Sequence, residues 1–192
     1  MARLVQGVGI NDGKYPATIN GIKRKEYELW TSMLKRCYNE KIHKKNPTYM
    51  GCIVSDNFKD YTYFFEWCQL QIGFGICDYN LDKDLLFKGN KEYNENSCIF
   101  LPTLLNNLFV KRQLDRGTFP IGVSKDGKNY RAQCSYNGIR KNIGTFTTPE
   151  LAFNAYKTFK EAHIKELAEK YKVTIDQRAY QALLNYEVHI DD

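Results

Sequence analysis

Leu81-Asp82-Lys83-Asp84, Asn94-Glu95-Asn96-Ser97-Cys98-Ile99-Phe100-Leu101-Pro102 and Asn106-Asn107 are the three pieces of sequence on which the reading of this chain turns. They read as a strand, a loop pinned by an Asn, a second strand and a short helix, with the core of the unit at 79–110. An acid stands at the end of the first strand and amide side chains stand on the helix. A hard divalent cation suits carboxylate and amide oxygens and keeps several waters, so an acid on the strand with amides on the helix is the chemistry of a site for one Mg²⁺ or Mn²⁺. Asp84 offers a second carboxylate if the strand stays regular past Asp82, because residues two apart share a face.

The surrounding chain is that of a folded protein. At 192 residues, with 43% hydrophobic and 14% aromatic side chains, it can bury one large core or two small ones and is not a disordered polymer. No window approaches the roughly 18 apolar residues of a membrane span, and Met1–Gln6 lacks the apolar stretch of a signal peptide. An intracellular, cytoplasmic protein with no membrane partner is the expectation. The six cysteines at 37, 52, 68, 77, 98 and 134 contain no C-x-x-C pair. Free buried thiols are expected rather than zinc ligands, with Cys37, Cys52 and His43 as the one dispersed alternative.

Charge is uneven along the chain. Residues 13–45 carry nine Lys/Arg against three Glu, and residues 113–145 carry six against two Asp. Two basic segments around a near-neutral middle fit two contact surfaces for a polyanion, with ordinary solvated charge as the plainer alternative. In the first, Arg24, Lys35, Arg36, Lys44 and Lys45 are the candidate contacts.

Periodicity divides the chain. Tyr27, Trp30, Leu34 and Tyr38 recur at helical spacing over 24–38, followed by a polar, basic loop from Asn39 to Tyr49. A second helix is expected from Phe58 to Gln71. Its aromatic stripe, like that of the first, reads as core rather than as a stacking platform. Lys111–Pro120 reads as a linker. Beyond it come short strands at Ile121–Ser124, Tyr130–Ser135 and Ile139–Phe146, separated by the turn pairs Asp126-Gly127 and Asn137-Gly138. Thr148-Pro149-Glu150 opens a helix with Thr148 as its cap, its expected stripe being Leu151, Ala155, Phe159, Ala162 and Leu167, with Tyr156 and Ile164 beside it. A last helix is expected over Asp176–Tyr186. The fold class is α+β, with regions at 1–112, 113–170 and 171–192.

In the second strand Tyr130, Ala132 and Cys134 share one face, which leaves Arg131, Gln133 and Ser135 on the other. Arg140 and Asn142 lie opposite Lys141 and Ile143 on the third. Arg, Gln and Asn can make paired hydrogen bonds to base edges, and a β-ribbon fits the major groove. Lys125 and Lys128 at the first hairpin would stand near phosphates.

Gly122-Val123, Tyr130-Arg131-Ala132, Ile143-Gly144-Thr145-Phe146 and the helix start through Ala155-Tyr156 resemble an AP2 domain over about 119–165. The resemblance implies a three-stranded antiparallel sheet on one helix, bound to double-stranded DNA through the sheet. Ser124 and Asn142 stand where plant-type members carry other reading residues, so no target sequence carries over.

Residues 79–108 resemble the HNH, or ββα-metal, endonucleases, in particular phage-encoded homing-type enzymes with an AP2 domain behind the nuclease. Trp30-x-x-Met33-Leu34-x-Arg36-Cys37-Tyr38, Pro47-Thr48-Tyr49 and Phe64-x-x-Trp67 extend the likeness over nearly the whole chain. It implies phosphodiester hydrolysis with one divalent ion in a bacterial host. Asp82 takes the place of the metal-binding Asp, Asn96 that of the Asn bracing the loop, and Asn106 that of the helix ligand, although the family Asn often falls one residue earlier, at Leu105 here. Lys83 occupies the position of the general-base His. An ammonium of ordinary pKa about 10.4 keeps its proton at pH 7, so Lys83 is expected at the scissile phosphate and not as the base. None of the three His residues restores the motif from sequence: His43 lies in the basic loop, where phosphate contact or plain exposure is expected ahead of a swing toward the site, and His163 and His189 read as structural or solvated. The alternative is a DNA-binding protein whose nuclease unit has lost activity, acting as a regulator or on a host protein.

Overall fold

The computed structural model describes residues 4–109 and 118–192. Most of the expected linker, Lys111–Pro120, lies outside these residues. The chain forms two compact units, one of Met1–Thr103 with Thr174–Ala179 and one of Leu104–Val173 with Tyr180–Asp192. The fold is mixed α+β, and among the described residues no helix is long and apolar enough to cross a membrane.

In the first unit a small hairpin, β1 (Thr18–Ile19) and β2 (Ile22–Lys23), turns through Asn20-Gly21 at positive φ, the conformation that a two-residue turn demands and that Asn-Gly supplies. Helix α1 (Lys25–Tyr38) follows, with Glu26 and Glu28 in its first turn and Lys35 and Arg36 in its last, an order that complements its dipole. Its periodic face packs Trp30, Met33, Leu34 and Cys37 into the core, and the Trp30 indole donates to the Phe58 carbonyl at 2.8 Å.

The segment expected as a loop after α1 contains a short helix, α2 (Glu40–Lys45), and a 3₁₀ turn, Pro47–Tyr49. The Asn39 side chain caps α2 by accepting from the N–H groups of Lys41 and Ile42. The expected single helix over Phe58–Gln71 is two. Ser55 caps α3 (Asp56–Lys59), and Asp60 breaks the run and caps α4 (Tyr61–Gln69). The break has a partner. Ile10 donates to the Lys59 carbonyl and accepts from the Tyr61 N–H, both at 2.9 Å, so the N-terminal segment satisfies groups that a continuous helix would have paired internally. Phe58, Tyr61 and Phe64 are wholly buried, so both aromatic faces are core.

Strand β3 (Ile53–Val54) pairs in parallel with β5 (Glu92–Tyr93). Strand β4 (Tyr79–Asp82) pairs antiparallel with β6 (Ile99–Pro102), Leu81 opposite Phe100 and Asp82 opposite Ile99. Helix α5 (Thr103–Asn106) and a 3₁₀ turn, Asn107–Phe109, follow directly.

The second unit holds an antiparallel sheet in the order β7 (Val123–Asp126), β8 (Asn129–Tyr136), β9 (Ile139–Phe146), with helix α6 (Pro149–Tyr171) packed on it. The first two-residue turn is Gly127-Lys128, one residue beyond the expected Asp126-Gly127 because Asp126 pairs with Asn129, and the second is Asn137-Gly138 as expected; they set the register, Ser124 opposite Arg131 and Ser135 opposite Arg140. A bulge between Ala132 and Gln133 leaves Ile143 without a cross-strand partner, so both Ile143 and Gly144 turn toward the helix. Thr148 caps α6 as expected. Of the expected stripe of α6, Leu167 is buried, Ala155 and Phe159 pack against the core and Leu151 is half exposed, while Tyr156 and Ile164, expected beside it, are buried with Ala152 and Phe153. A final helix, α7 (Gln177–Leu184), lies inside the expected Asp176–Tyr186.

Gly122 fixes how closely the strand approaches α6. Its φ is +78°, and a Cβ there would lie 2.1 Å from Cδ2 of Tyr156. Gly122→Ala is expected to destabilise the sheet-and-helix unit by about 3 kcal/mol, combining left-handed strain with overpacking. Gly127→Ala, where nothing lies within 4 Å of the new Cβ, should cost about 1 kcal/mol. Urea unfolding of the two variants measures the difference.

Candidate functional site

The β4–β6 hairpin places the acid of the quoted stretch, and its start is clamped. Asp78 turns at φ +64°, and its carbonyl accepts from both the N–H and the hydroxyl of Thr103, while the Asn80 amide donates to the same hydroxyl. Along β4 the side chains alternate. Leu81 enters the core, Asp82 points to the half-buried side, and Lys83 returns inward.

Asp82 is then caught by the chain turning back on it, its Oδ1 accepting from the N–H groups of Asp84 at 3.0 Å and Leu85 at 2.8 Å. Burial, aided by the neighbouring charge of Asp84, pushes its carboxyl above the usual carboxylate range, against the lowering effect of the two N–H donors. Oδ2 receives neither of those bonds. Asp84 is exposed, because the strand ends at Asp82 and the following residues bend.

Lys83 lies elsewhere than expected. Only 6% exposed, its ammonium bonds the Asp84 carboxylate, donates to the Asn90 carbonyl at 2.8 Å and stands 5.5 Å from the centre of the Tyr93 ring. Held this way, it ties the loop together instead of facing a phosphate.

The bracing expected of Asn96 is carried out by two other residues. Asn90 donates to the carbonyls of Lys83 and Glu92 at 2.8 and 2.6 Å and accepts from the Glu92 N–H. Asn94 accepts from the N–H groups of Asn96 and Ser97 and donates to Glu92. Asn96 is exposed and enters only through its backbone, its carbonyl accepting from Arg178 at 3.2 Å. Two signals pointed to these residues: Lys88-Gly89-Asn90, with Gly89 at φ +80°, and the Asn-x-x-Ser spacing of 94–97, which favours a side-chain-closed turn. Asn106 is half-buried and Asn107 exposed at the end of α5, within the second unit, whereas Asp82 belongs to the first.

Among the described residues no group of three or more His, Cys, Asp or Glu side chains gathers as a metal shell. The donors at hand are the carboxylates of Asp82 and Asp84 and amide oxygens. They fit a hard ion that keeps most of its waters. Burial pushes the thiols of Cys37 and Cys98 up to about 12, which does not favour thiolate ligation by either.

The His residues divide three ways. His43 contacts the Arg36 carbonyl through Nε2 at 2.9 Å, as a donor since the carbonyl accepts. Buried against Tyr136, His163 has no partner for either ring nitrogen, and burial lowers its pKa, keeping it neutral. His189 is exposed.

Of the basic candidates in the first unit, Arg24 pairs with Glu26 over the Phe65 ring, and Arg36 bonds Tyr93. Lys35, Lys44 and Lys45 are exposed. In the second unit, Ala132 and Cys134 are buried as expected, and Ser135, Arg140 and Asn142 lie exposed on the opposite face, with Gln133 partly so. Arg131 is bound to Asp126 at 2.6 Å, a neighbour that the strand pattern alone did not bring forward. Lys125 stands 4.0 Å over the Tyr130 ring, and Lys128 is exposed in the turn.

Two outcomes follow from this loop. Asn90→Ala should cost about 1–3 kcal/mol in denaturant unfolding, since it strips partners from two carbonyls and an N–H. For Asp82, a folded-state pKa above the unfolded one means that stability falls as pH rises through the ordinary carboxylate range. Asp82→Asn, whose amide oxygen can still accept both N–H bonds, should therefore melt no lower than the native protein at pH 7. Any advantage it holds at pH 7 should vanish in acid, as thermal melts between pH 3 and 7 would show.

No protein-family profile, curated protein or solved structure matches this chain.

Proposed function

We propose that this protein binds double-stranded DNA through the open face of its three-stranded sheet and hydrolyses a phosphodiester at the Asp82 hairpin, in the manner of a phage-type HNH endonuclease with an AP2 domain. The observation that carries the reading is the segregation of the sheet. Ala132 and Cys134 are buried against α6, while Gln133, Ser135, Arg140 and Asn142 occupy the other face. A solvated sheet needs only polarity there. This one presents side chains capable of paired hydrogen bonds to base edges, on a ribbon of groove width. Lys128, Lys35, Lys44 and Lys45 supply exposed positive charge for phosphates.

For hydrolysis, Asp82 with Asp84 would hold one Mg²⁺ or Mn²⁺. A carboxyl raised by burial is one that a cation would favour in its ionised form. The ion, when bound, would acidify water and neutralise charge growing on the phosphate. The chain's own part is to hold Asp82 by two backbone N–H groups and to keep the loop closed through Asn90, Asn94 and Lys83.

A second reading, a DNA-binding protein that regulates or blocks a host enzyme without cutting, is favoured by one observation. The position of the expected base holds Lys83, turned inward and already bonded. Loss of a general base typically slows such a reaction by 10²–10⁴-fold, so slow nicking and no nicking are the outcomes that separate the two.

Incubation with supercoiled plasmid should give nicked circles in Mg²⁺ or Mn²⁺, lost in EDTA and in Asp82→Ala. Binding without nicking under either metal selects the second reading. Duplex affinity should fall steeply with salt, and Arg140→Ala should weaken it by roughly 1–3 kcal/mol. An affinity insensitive to both would refute the sheet as the DNA-binding surface.

A further inference from the structure

The ion pair on the open face of the sheet has a geometry that matters for recognition. Arg131 donates from both Nε and Nη2 to one carboxylate oxygen of Asp126, at 3.1 and 2.6 Å. Asp126 ends β7 opposite Asn129, two residues from Arg131, so the two side chains are diagonal neighbours on one face. Both remain open to solvent, 39% and 35% exposed.

A guanidinium has two donor edges. The Nε–Nη2 edge is taken by Asp126, which leaves the Nη1–Nη2 edge. That edge is a planar fork whose spacing matches the O6 and N7 acceptors of guanine in the major groove. A long side chain is normally ordered only on binding, at an entropic cost, and here the neighbouring strand already restrains it. The other residues on this face do not compete for Arg131. Ser124 and Thr145 flank it across the two neighbouring strands, while Gln133 sits one step along opposite Asn142.

We propose that Asp126 is the positioning residue that sets base specificity: it holds Arg131 so that its free edge reads a guanine in duplex DNA. The inference rests on the DNA-binding reading and adds a base identity to it. A lone Arg on the sheet would serve a phosphate as readily as a base. With a carboxylate fixed beside it, the site is close to neutral and ill suited to a phosphate, so a base edge is the partner that remains.

The test uses the full chain. Duplexes retained from a randomised pool are sequenced, and affinity is measured for the recovered site, for the same site with its common guanine replaced by adenine, and with that guanine replaced by 7-deazaguanine, which lacks the N7 acceptor. The native protein should prefer the guanine by about 5–150-fold, the range of one paired base contact, and should lose most of that preference to 7-deazaguanine. Asp126→Ala should reduce the preference to less than threefold, and Arg131→Lys, which keeps the charge but not the fork, should do the same.

A native preference retained in Asp126→Ala, recovered sites with no common guanine, or indifference to 7-deazaguanine would each overturn the proposal. If the alanine variant does not fold, the 7-deazaguanine and Arg131→Lys measurements decide it. Failure of the native protein to bind any duplex at low salt would remove the DNA-binding reading along with it. Binding with an unaltered preference removes only the role of Asp126.

Discussion

The pairing of Leu81 with Phe100 across β4 and β6 governs what the candidate site can be. Both side chains are buried in the core of the first unit. A strand alternates its faces, so once Leu81 is inward, Asp82 must turn outward. The carboxylate of Asp82 thereby lies on the half-buried side under the Asp84 and Leu85 N–H groups, and the Lys83 ammonium is buried. Everything beyond that point in the loop serves to make a buried ammonium tolerable. Asp84 supplies the counter-charge, Asn90 a carbonyl, and Tyr93 an aromatic face. The same Asn90 returns two hydrogen bonds to the carbonyls on either side of the loop. The loop is closed around the lysine, which has become a structural tie.

The first unit places its charges with similar economy. Arg24 pairs with a buried Glu26, whose carboxylate also accepts from Gln69, and Arg36 reaches Tyr93, the ring that Lys83 stands over. Cations that look available in a linear charge count are therefore part of the packing. Lys35, Lys44 and Lys45, on the outer turns of α1 and α2, are exposed instead. A run of positive residues separates in this way into a structural set and a solvent-facing set, and only the second can meet a polyanion.

In the second unit the contrast between the two faces of one sheet is the main result. The inner face accepts α6 closely enough that Gly122 has no room for a methyl group against Tyr156. The bulge at Ala132/Gln133 turns two consecutive residues of β9 inward and keeps Asn142 and Thr145 on the outer side, Asn142 opposite Gln133 and Thr145 opposite Arg131. An outer face thus stays polar along its whole length although β9 changes phase midway. Arg131 and Asp126, drawn from different strands, meet on that face.

The sequence by itself determined the strand–loop–strand order around Asp82, the two hairpin turns, the Thr148 cap, the burial of Ala132 and Cys134, and the aromatic faces of α1 and α4. All of these depend on local rules: side-chain period, turn chemistry and capping. The inward turn of Lys83 was not read from the sequence, because β4 ends at Asp82 and the bend that follows it decides where the ammonium goes. Tertiary structure decided the rest. The break at Asp60 needs Ile10 from fifty residues away, and the bracing of the loop by Asn90 and Asn94 depends on which carbonyls the fold brings near. The pairing of Arg131 with Asp126 depends on strand register. These are contacts between residues whose separation in sequence carries no pattern, and only the packed chain brings them together.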